Sequence, residues 1–308
     1  MPFRLQYASN LFVDLQRLSF PTILRPGCSR LALLGNIGRP DSLKTAHFLN
    51  YCASHWEKTY WLVGPHELTN KENGTAPYRE KMEMLENLVK QYEGSIQLVN
   101  TKELVFPQHE LVLLATPLWS NIPLPSRNQP EFQSIYSSVD EAGPIRLTLK
   151  ERNLWNKKDF EYLMSRTVLW NHTYPRVRIV YLTHTLPTPL LMTTGLSEET
   201  WNRYTLDVQD YRGFLQPPIK AWLGGSTGTT NCIQVGSDPS RQVLCGVNSL
   251  YEYPYVSTME MKSSYDPTCI LELFPKKPKH TSAKFPSNLL LPSIASSLLS
   301  KKVSLQQA

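Results

Sequence analysis

Two histidines stand where strand-like apolar runs give way to small polar loops. His66 lies in Val63-Gly64-Pro65-His66-Glu67 and His184 in Tyr181-Leu182-Thr183-His184. An imidazole in such a place can ligate a metal or move a proton. Three further loops of the same form carry neutral oxygens and amides. Asn10 ends Gln6-Tyr7-Ala8-Ser9-Asn10 ahead of Leu11-Phe12, Asn36 sits in Leu33-Leu34-Gly35-Asn36-Ile37-Gly38, and Ser226 sits in Trp222-Leu223-Gly224-Gly225-Ser226-Thr227-Gly228. The plainer reading of each histidine is a structural, hydrogen-bonded loop residue. Asp14 lies two residues beyond Phe12, and Asp207 and Asp210 read as solvent-facing.

The last of these loops fits two other motifs. Gly224-Gly-Ser-Thr-Gly228 matches the spacing of a serine nucleophile elbow, which needs a strand before it, a helix after it, and then an acid and a histidine downstream. Thr229 to Val235 reads instead as loop and strand, and the only downstream histidine is His280, so the match is coincidental. The glycines would let backbone N–H groups contact a phosphate, but the Gly-Lys-Ser/Thr ending of a nucleotide loop is missing.

The elements that must position these loops alternate strand and helix through the first third. Phe3–Ser9, Leu31–Leu34 and Thr59–Val63 read as strands. Asp41 is placed to cap a helix running to Trp56, with Ala46, Leu49, Ala53 and Trp56 inward. Tyr78–Tyr92 reads as a second amphipathic helix with Met82, Leu85, Leu88 and Val89 inward. This order favours parallel strands with crossover helices. Leu104–Phe106 and Leu111–Ala115 read as a hairpin, and residues 121–144 as a long surface loop. Leu154–Trp170 reads as helix, Arg178–Leu182 as strand and Ser197–Phe214 as helix. Ile219–Leu223, Cys232–Val235 and Gln242–Val247 complete the strands.

Taken in order, the five loops resemble those of the calcineurin-like metallophosphoesterases, which read SDLH, GDIG, GNHE, TH and GHTH. The similarity runs from about Phe3 to Tyr255. It is closest at Leu31–Gly38, at Phe48–Cys52 leading into Trp56, and at Leu118-Trp-Ser-Asn-Ile-Pro123, which is similar to a GTTLWSNI segment of one branch. The resemblance implies an α/β fold, an αββα sandwich of two mixed β-sheets flanked by helices, over residues 1–274.

The resemblance also implies how a site would be built. In the family, seven side chains from these loops hold two divalent metals such as Mn, Fe or Zn. Two such cations about 3.5–4 Å apart repel, so anionic ligands must screen them. Here the first loop's Asp and His fall on Asn10 and Phe12, the bridging Asp on Asn36, and the Asn ligand on Pro65. The two histidines of the last loop fall on Ser226 and Gly228, and His184 alone matches. His66 matches the histidine that assists the leaving group, which makes it a catalytic candidate, though a vestigial one. The expectation is a catalytically inactive pseudophosphatase that acts as a binding or scaffold protein for protein partners. It would have no metal or other cofactor, and Asn10, Asn36, His184 and Ser226 would line a vestigial cleft able to take a phosphate-type anion weakly. The alternatives are an active phosphomonoesterase or phosphodiesterase with a reduced single-metal site, and a non-hydrolytic phosphoryl-ligand sensor.

Composition sets the outer bounds. The chain has 308 residues, 41% of them hydrophobic, enough for one large core. The net charge of +6 resides in the six lysines beyond Pro275; the rest balances. Residues 275–308 therefore read as a basic, flexible tail, with Pro275-Lys-Lys-Pro-Lys-His280 a possible nuclear address, and no specific nucleic-acid partner is expected. Five scattered cysteines without a CxxC pair read as reduced, buried thiols. With no apolar run long enough to span a bilayer and no leader pattern, no membrane partner and a cytoplasmic location are expected.

Overall fold

The computed structural model describes residues 1–68, 78–92, 94–121, 149–191, 210–225, 230–236, 238, 241–250 and 264–274. Its first sheet contains β1 (Phe3–Ala8), β2 (Arg30–Leu34), β3 (Lys58–Leu62), β4 (Ile96–Leu98) and β11 (Ile270–Leu273), in the order β11-β1-β2-β3-β4. β1 to β4 are parallel, and β11 closes the edge antiparallel to β1. The second sheet contains β5 (Lys102–Phe106), β6 (Leu111–Ala115), β7 (Arg178–Leu182), β8 (Ile219–Gly224), β9 (Thr230–Val235) and β10 (Val243–Asn248), in the order β5-β6-β7-β8-β10-β9. There β6, β7, β8 and β10 are parallel and the two edge strands antiparallel. Four helices are described: α1 (Phe20–Ile23), α2 (Leu43–His55), α3 (Tyr78–Lys90) and α4 (Leu149–Thr173).

Side-chain alternation along the strands builds three apolar layers. Ala32 and Leu34 of β2, Leu113 and Ala115 of β6, and Val180 and Leu182 of β7 face one another between the sheets. Their neighbours Leu31 and Leu33 point outward to Phe48, Leu49 and Cys52 of α2 and Leu85 of α3. Val112, Leu114, Ile179 and Tyr181 point the other way, to Leu163 and Trp170 of α4. Central strands covered on both faces need continuous apolar runs, which is what β2, β6 and β7 have. β8 breaks the alternation: Ile219 faces α4, yet Ala221 faces the inter-sheet layer. The register shift at Ile179/Val180 on the paired β7 accommodates this change of face. The result is the αββα sandwich expected from the sequence.

Two local readings are revised. Asp41 does not cap α2: Ser42 is the N-cap residue, without a side-chain cap bond, and the Asp41 carboxylate lies 3.6 Å from Arg39 instead. The thiols are all free, but only Cys52 and Cys245 are buried, and Cys232 is exposed. Of the Ser197–Phe214 helix, residues 197–209 lie outside the described residues, and Arg212–Phe214 is a single 3₁₀ turn. Nearly all of the 121–144 loop and all of the 275–308 tail also lie outside them. Among the described residues no helix is long and apolar enough to cross a membrane.

The two sheets are tied at one corner by Asn248, fully buried at the end of β10. Its amide donates to Tyr7 O at 3.0 Å and Asp266 O at 2.8 Å, and its side-chain oxygen accepts from Asp266 N at 3.2 Å. Asn248→Ala would strand these backbone groups away from water. It should cost about 2–4 kcal/mol, read as a lowered denaturant midpoint with an unchanged slope.

Candidate functional site

Because β1, β2, β3, β7 and β8 run parallel within their sheets, the loops that follow them can meet, and they interlock. Asn10 N donates to Gly35 O at 3.0 Å, Phe12 N to Asn36 O at 3.0 Å, and Val13 N to Ile37 O at 2.7 Å. His66 N donates to Asn36 Oδ1 at 2.9 Å, and Gly225 N to His184 O at 2.8 Å. The approach is close enough to require glycine. A Cβ on Gly64 would lie 2.9 Å from Asn36 Oδ1 and 3.0 Å from His184 Cε1. One on Gly35, whose φ is +84°, would lie 2.4 Å from His184 Nδ1.

The structure thus brings Asn10, Asn36, His66 and His184 together; Ser226 and Gly228 lie outside the described residues. Asn36 Nδ2 donates to Asn10 Oδ1 at 3.0 Å, and both side chains are buried. With Asn36 Oδ1 occupied by His66 N, the oxygens of both amides are engaged within the protein. Phe12 and Pro65 have no donor atom on their side chains. His184 is 5% exposed, and its Nδ1 lies 2.9 Å from Leu34 O. Burial lowers its pKa to about 4, the Leu34 bond opposes this, and the positive Arg152 adds to it.

His66 has a partner that the sequence did not indicate. Its Nε2 lies 2.9 and 3.2 Å from the two carboxylate oxygens of Asp14, and Arg39 Nε is 3.2 Å from the same group. The Phe12 ring meets the His66 ring edge-on, with centroids 4.9 Å apart. Asp14 sits in the loop after β1 and His66 in the loop after β3; only the parallel packing of those strands joins them. Phe12 therefore fills its loop position with an apolar contact to His66.

Beneath these loops lies Glu67, fully buried. Its carboxylate accepts from Asn36 N at 3.0 Å, Gly64 N at 2.8 Å and Ile37 N at 2.5 Å. Burial pushes its pKa above the ordinary carboxylate value, and the amide donors and His66 pull against that. Nothing in the sequence distinguishes Glu67 from an ordinary loop acid.

A third component is one face of α4. Arg152, Trp155, Asn156 and Asp159 follow the i, i+3, i+4, i+7 spacing of a helix face, and they grip the segment after β6. Arg152 Nη2 donates to Ser120 Oγ at 2.6 Å, Trp155 stacks at a tilt on Trp119, Asn156 Nδ2 donates to Trp119 O, and Asp159 Oδ2 accepts from Leu118 N at 2.8 Å. That segment in turn supports the histidine, since Pro117 O accepts from His184 N at 3.0 Å. Burial raises the Asp159 pKa to about 6, against the opposing pull of its hydrogen bonds to Thr116, Leu118 and Trp119. Asp210, read as solvent-facing, is exposed and paired with Arg212 at 2.6 Å. Strand β9 begins at Thr230, where a serine elbow would need a helix.

No family model matches the chain. Among curated proteins it is similar to the uncharacterized protein L509 of Acanthamoeba polyphaga mimivirus, 24% identical over 217 residues, covering 65% of this chain and 72% of that one. Among solved structures it superposes on the phosphopantetheinyl hydrolase PptH from Mycobacterium tuberculosis with a TM-score of 0.59. The sequences are 15% identical, and the match covers 91% of this chain and 98% of that one. The fold is accordingly that of the metallophosphoesterase-like sandwich.

Two pKa shifts act on stability with opposite sign. His184, lowered to about 4 when folded and about 6.5 when unfolded, contributes stability that is lost as pH falls through that window. Asp159, raised to about 6, contributes stability that is fully present below its unfolded pKa of about 3.9 and is lost as pH rises through 6. Asp159→Asn should therefore gain stability relative to the parent between pH 4 and 7. His184→Gln should flatten the loss on acidification. Melting temperatures across that pH range test both signs.

Proposed function

We propose that this chain is a metallophosphoesterase-fold protein of hydrolase ancestry that no longer performs two-metal hydrolysis and acts by binding, with a protein as its main partner. The observation that carries this reading is the 3.0 Å bond from Asn36 Nδ2 to Asn10 Oδ1. Both positions that the resemblance assigns to metal-binding carboxylates, the bridging one at Asn36 and the other at Asn10, are amides, and Asn36 donates to Asn10. Neutral amides do not screen two adjacent divalent cations, and oxygens already accepting hydrogen bonds are poor ligands. Phe12 and Pro65 supply no ligand atom. These residues do not fit a binuclear centre.

His66 is consistent with the same reading. With Nε2 turned onto Asp14 and an aromatic edge against its ring, it serves as a joint between loops. The fold persists without its chemistry because the layers between the sheets and under the helices are made of residues other than those at the metal positions.

Protein purified without chelators should contain substoichiometric metal and should not hydrolyse bis-p-nitrophenyl phosphate with Mn²⁺, Fe²⁺ or Zn²⁺ added. Two ions per chain by elemental analysis would reject the reading. Asn36→Asp should destabilise the metal-free chain by about 1–3 kcal/mol at pH 7.5. It replaces the donor to Asn10 with an oxygen facing an oxygen, and it leaves a charge near Glu67. Denaturant unfolding with and without Mn²⁺ measures this.

A further inference from the structure

The strand ends remote from the Asn36 and His184 loops carry a second group of charged side chains, most of them positive. Arg30 opens β2 and Arg178 opens β7, and His109 lies in the single 3₁₀ turn, Pro107–His109, that leads into β6. Phe3 of β1 joins two of them. The Arg30 guanidinium carbon lies 5.4 Å from its ring centroid, and the His109 ring meets the same ring edge-on at 5.4 Å. Arg30 also stands 5.5 Å from the centroid of Phe106. Arg178, 5% exposed, fixes the turn: its Nη2 donates to His109 O at 2.7 Å and its Nη1 to Phe274 O at 2.6 Å. Glu110 closes the turn at φ 47° and accepts from Arg178 N at 2.8 Å through its backbone oxygen.

These cations are not neutralised by the protein around them. Among the described residues neither Arg30 nor Arg178 forms an ion pair with a carboxylate. Burial lowers the Arg178 pKa, and Glu110 opposes this without touching the guanidinium. The Tyr60 hydroxyl takes one N–H of Arg30, and the two phenylalanine rings attract its charge without cancelling it. His109 reports the imbalance. Burial lowers its pKa, then Arg30, Arg178 and the Met1 amino group lower it further, and no acid raises it. Arg30 and His109 are both half-buried, so each keeps a side open to solvent.

We infer that this end of the sandwich binds a small oxyanion of the phosphate or sulfate type, held between the Arg30 guanidinium and the His109 ring. The remaining N–H groups of Arg30 and a protonated His109 donate to it, and its charge offsets that of the buried Arg178. The site lies at the opposite strand ends from the Asn10–Asn36 pair, so it stands whether or not those loops hold metal. The test uses the full wild-type chain labelled with ¹⁵N-histidine, with His109 assigned through the backbone and titrated in sodium chloride and in sodium sulfate of equal ionic strength. An anion that binds the protonated ring about tenfold more tightly than the neutral one raises its pKa by about one unit, and sulfate should do so with a saturable response. Inorganic phosphate should shift the same resonance. Arg30→Gln should abolish the difference between the salts, whereas Arg79→Gln, which loses an exposed arginine paired with Glu83, should preserve it. Should Arg30→Gln fail to fold, the wild-type comparison of the two salts decides alone. Equal titrations in chloride and sulfate, a response that never saturates, or undiminished binding by folded Arg30→Gln would overturn the inference.

Discussion

The arrangement of the strand-end loops depends on one buried carboxylate. Glu67 sits under the junction of the loops after β2 and β3 and accepts hydrogen bonds from Asn36, Ile37 and Gly64. A carboxylate removed from water is costly unless it is compensated, and three backbone donors are a strong form of compensation. Those bonds hold Asn36 where its side chain reaches Asn10 on one side and His66 N on the other. Removing Glu67 would free three buried amides at once, and the relative positions of three loops would go with them.

Local backbone strain shows how firmly that arrangement is imposed. Asn10, Phe12 and Asn36 have φ of 51°, 43° and 56°. Asparagine tolerates this left-handed region, but a phenylalanine there is strained by about 1–3 kcal/mol. Phe12 stays because its N–H is bonded to Asn36 O and its ring is buried against His66. Leu118, at φ 49°, is held in the same way by the Asp159 carboxylate on its N–H. In both places the chain keeps a loop shape that its side chain does not favour, so the shape is set by contacts outside the residue itself.

The fold was legible because its signals are local and repeated. Leu31–Leu34, Leu111–Ala115 and Arg178–Leu182 are apolar runs whose alternate residues fill two different layers, and the helices between them show one apolar stripe each. Much of the site was not legible. Asp14 and His66 are 52 residues apart, and nothing in either loop marks the other as its partner. Glu67 reads as an ordinary loop acid until burial and three amide donors are seen. The α4 face was hidden for another reason: Arg152, Asn156 and Asp159 are polar, yet they turn inward onto the segment from Thr116 to Ser120.

The two asparagines act as a pair. A carboxylate at position 36 would stand beside Glu67, which already accepts from the backbone N–H of that residue, and the two like charges would repel unless a proton or a cation came between them. With both positions neutral, Asn36 donates to Asn10 and accepts from His66 N, while Glu67 accepts from the backbone amides around it. The neutral pair thus ties the loops after β1 and β2 to each other without placing a charge at either position.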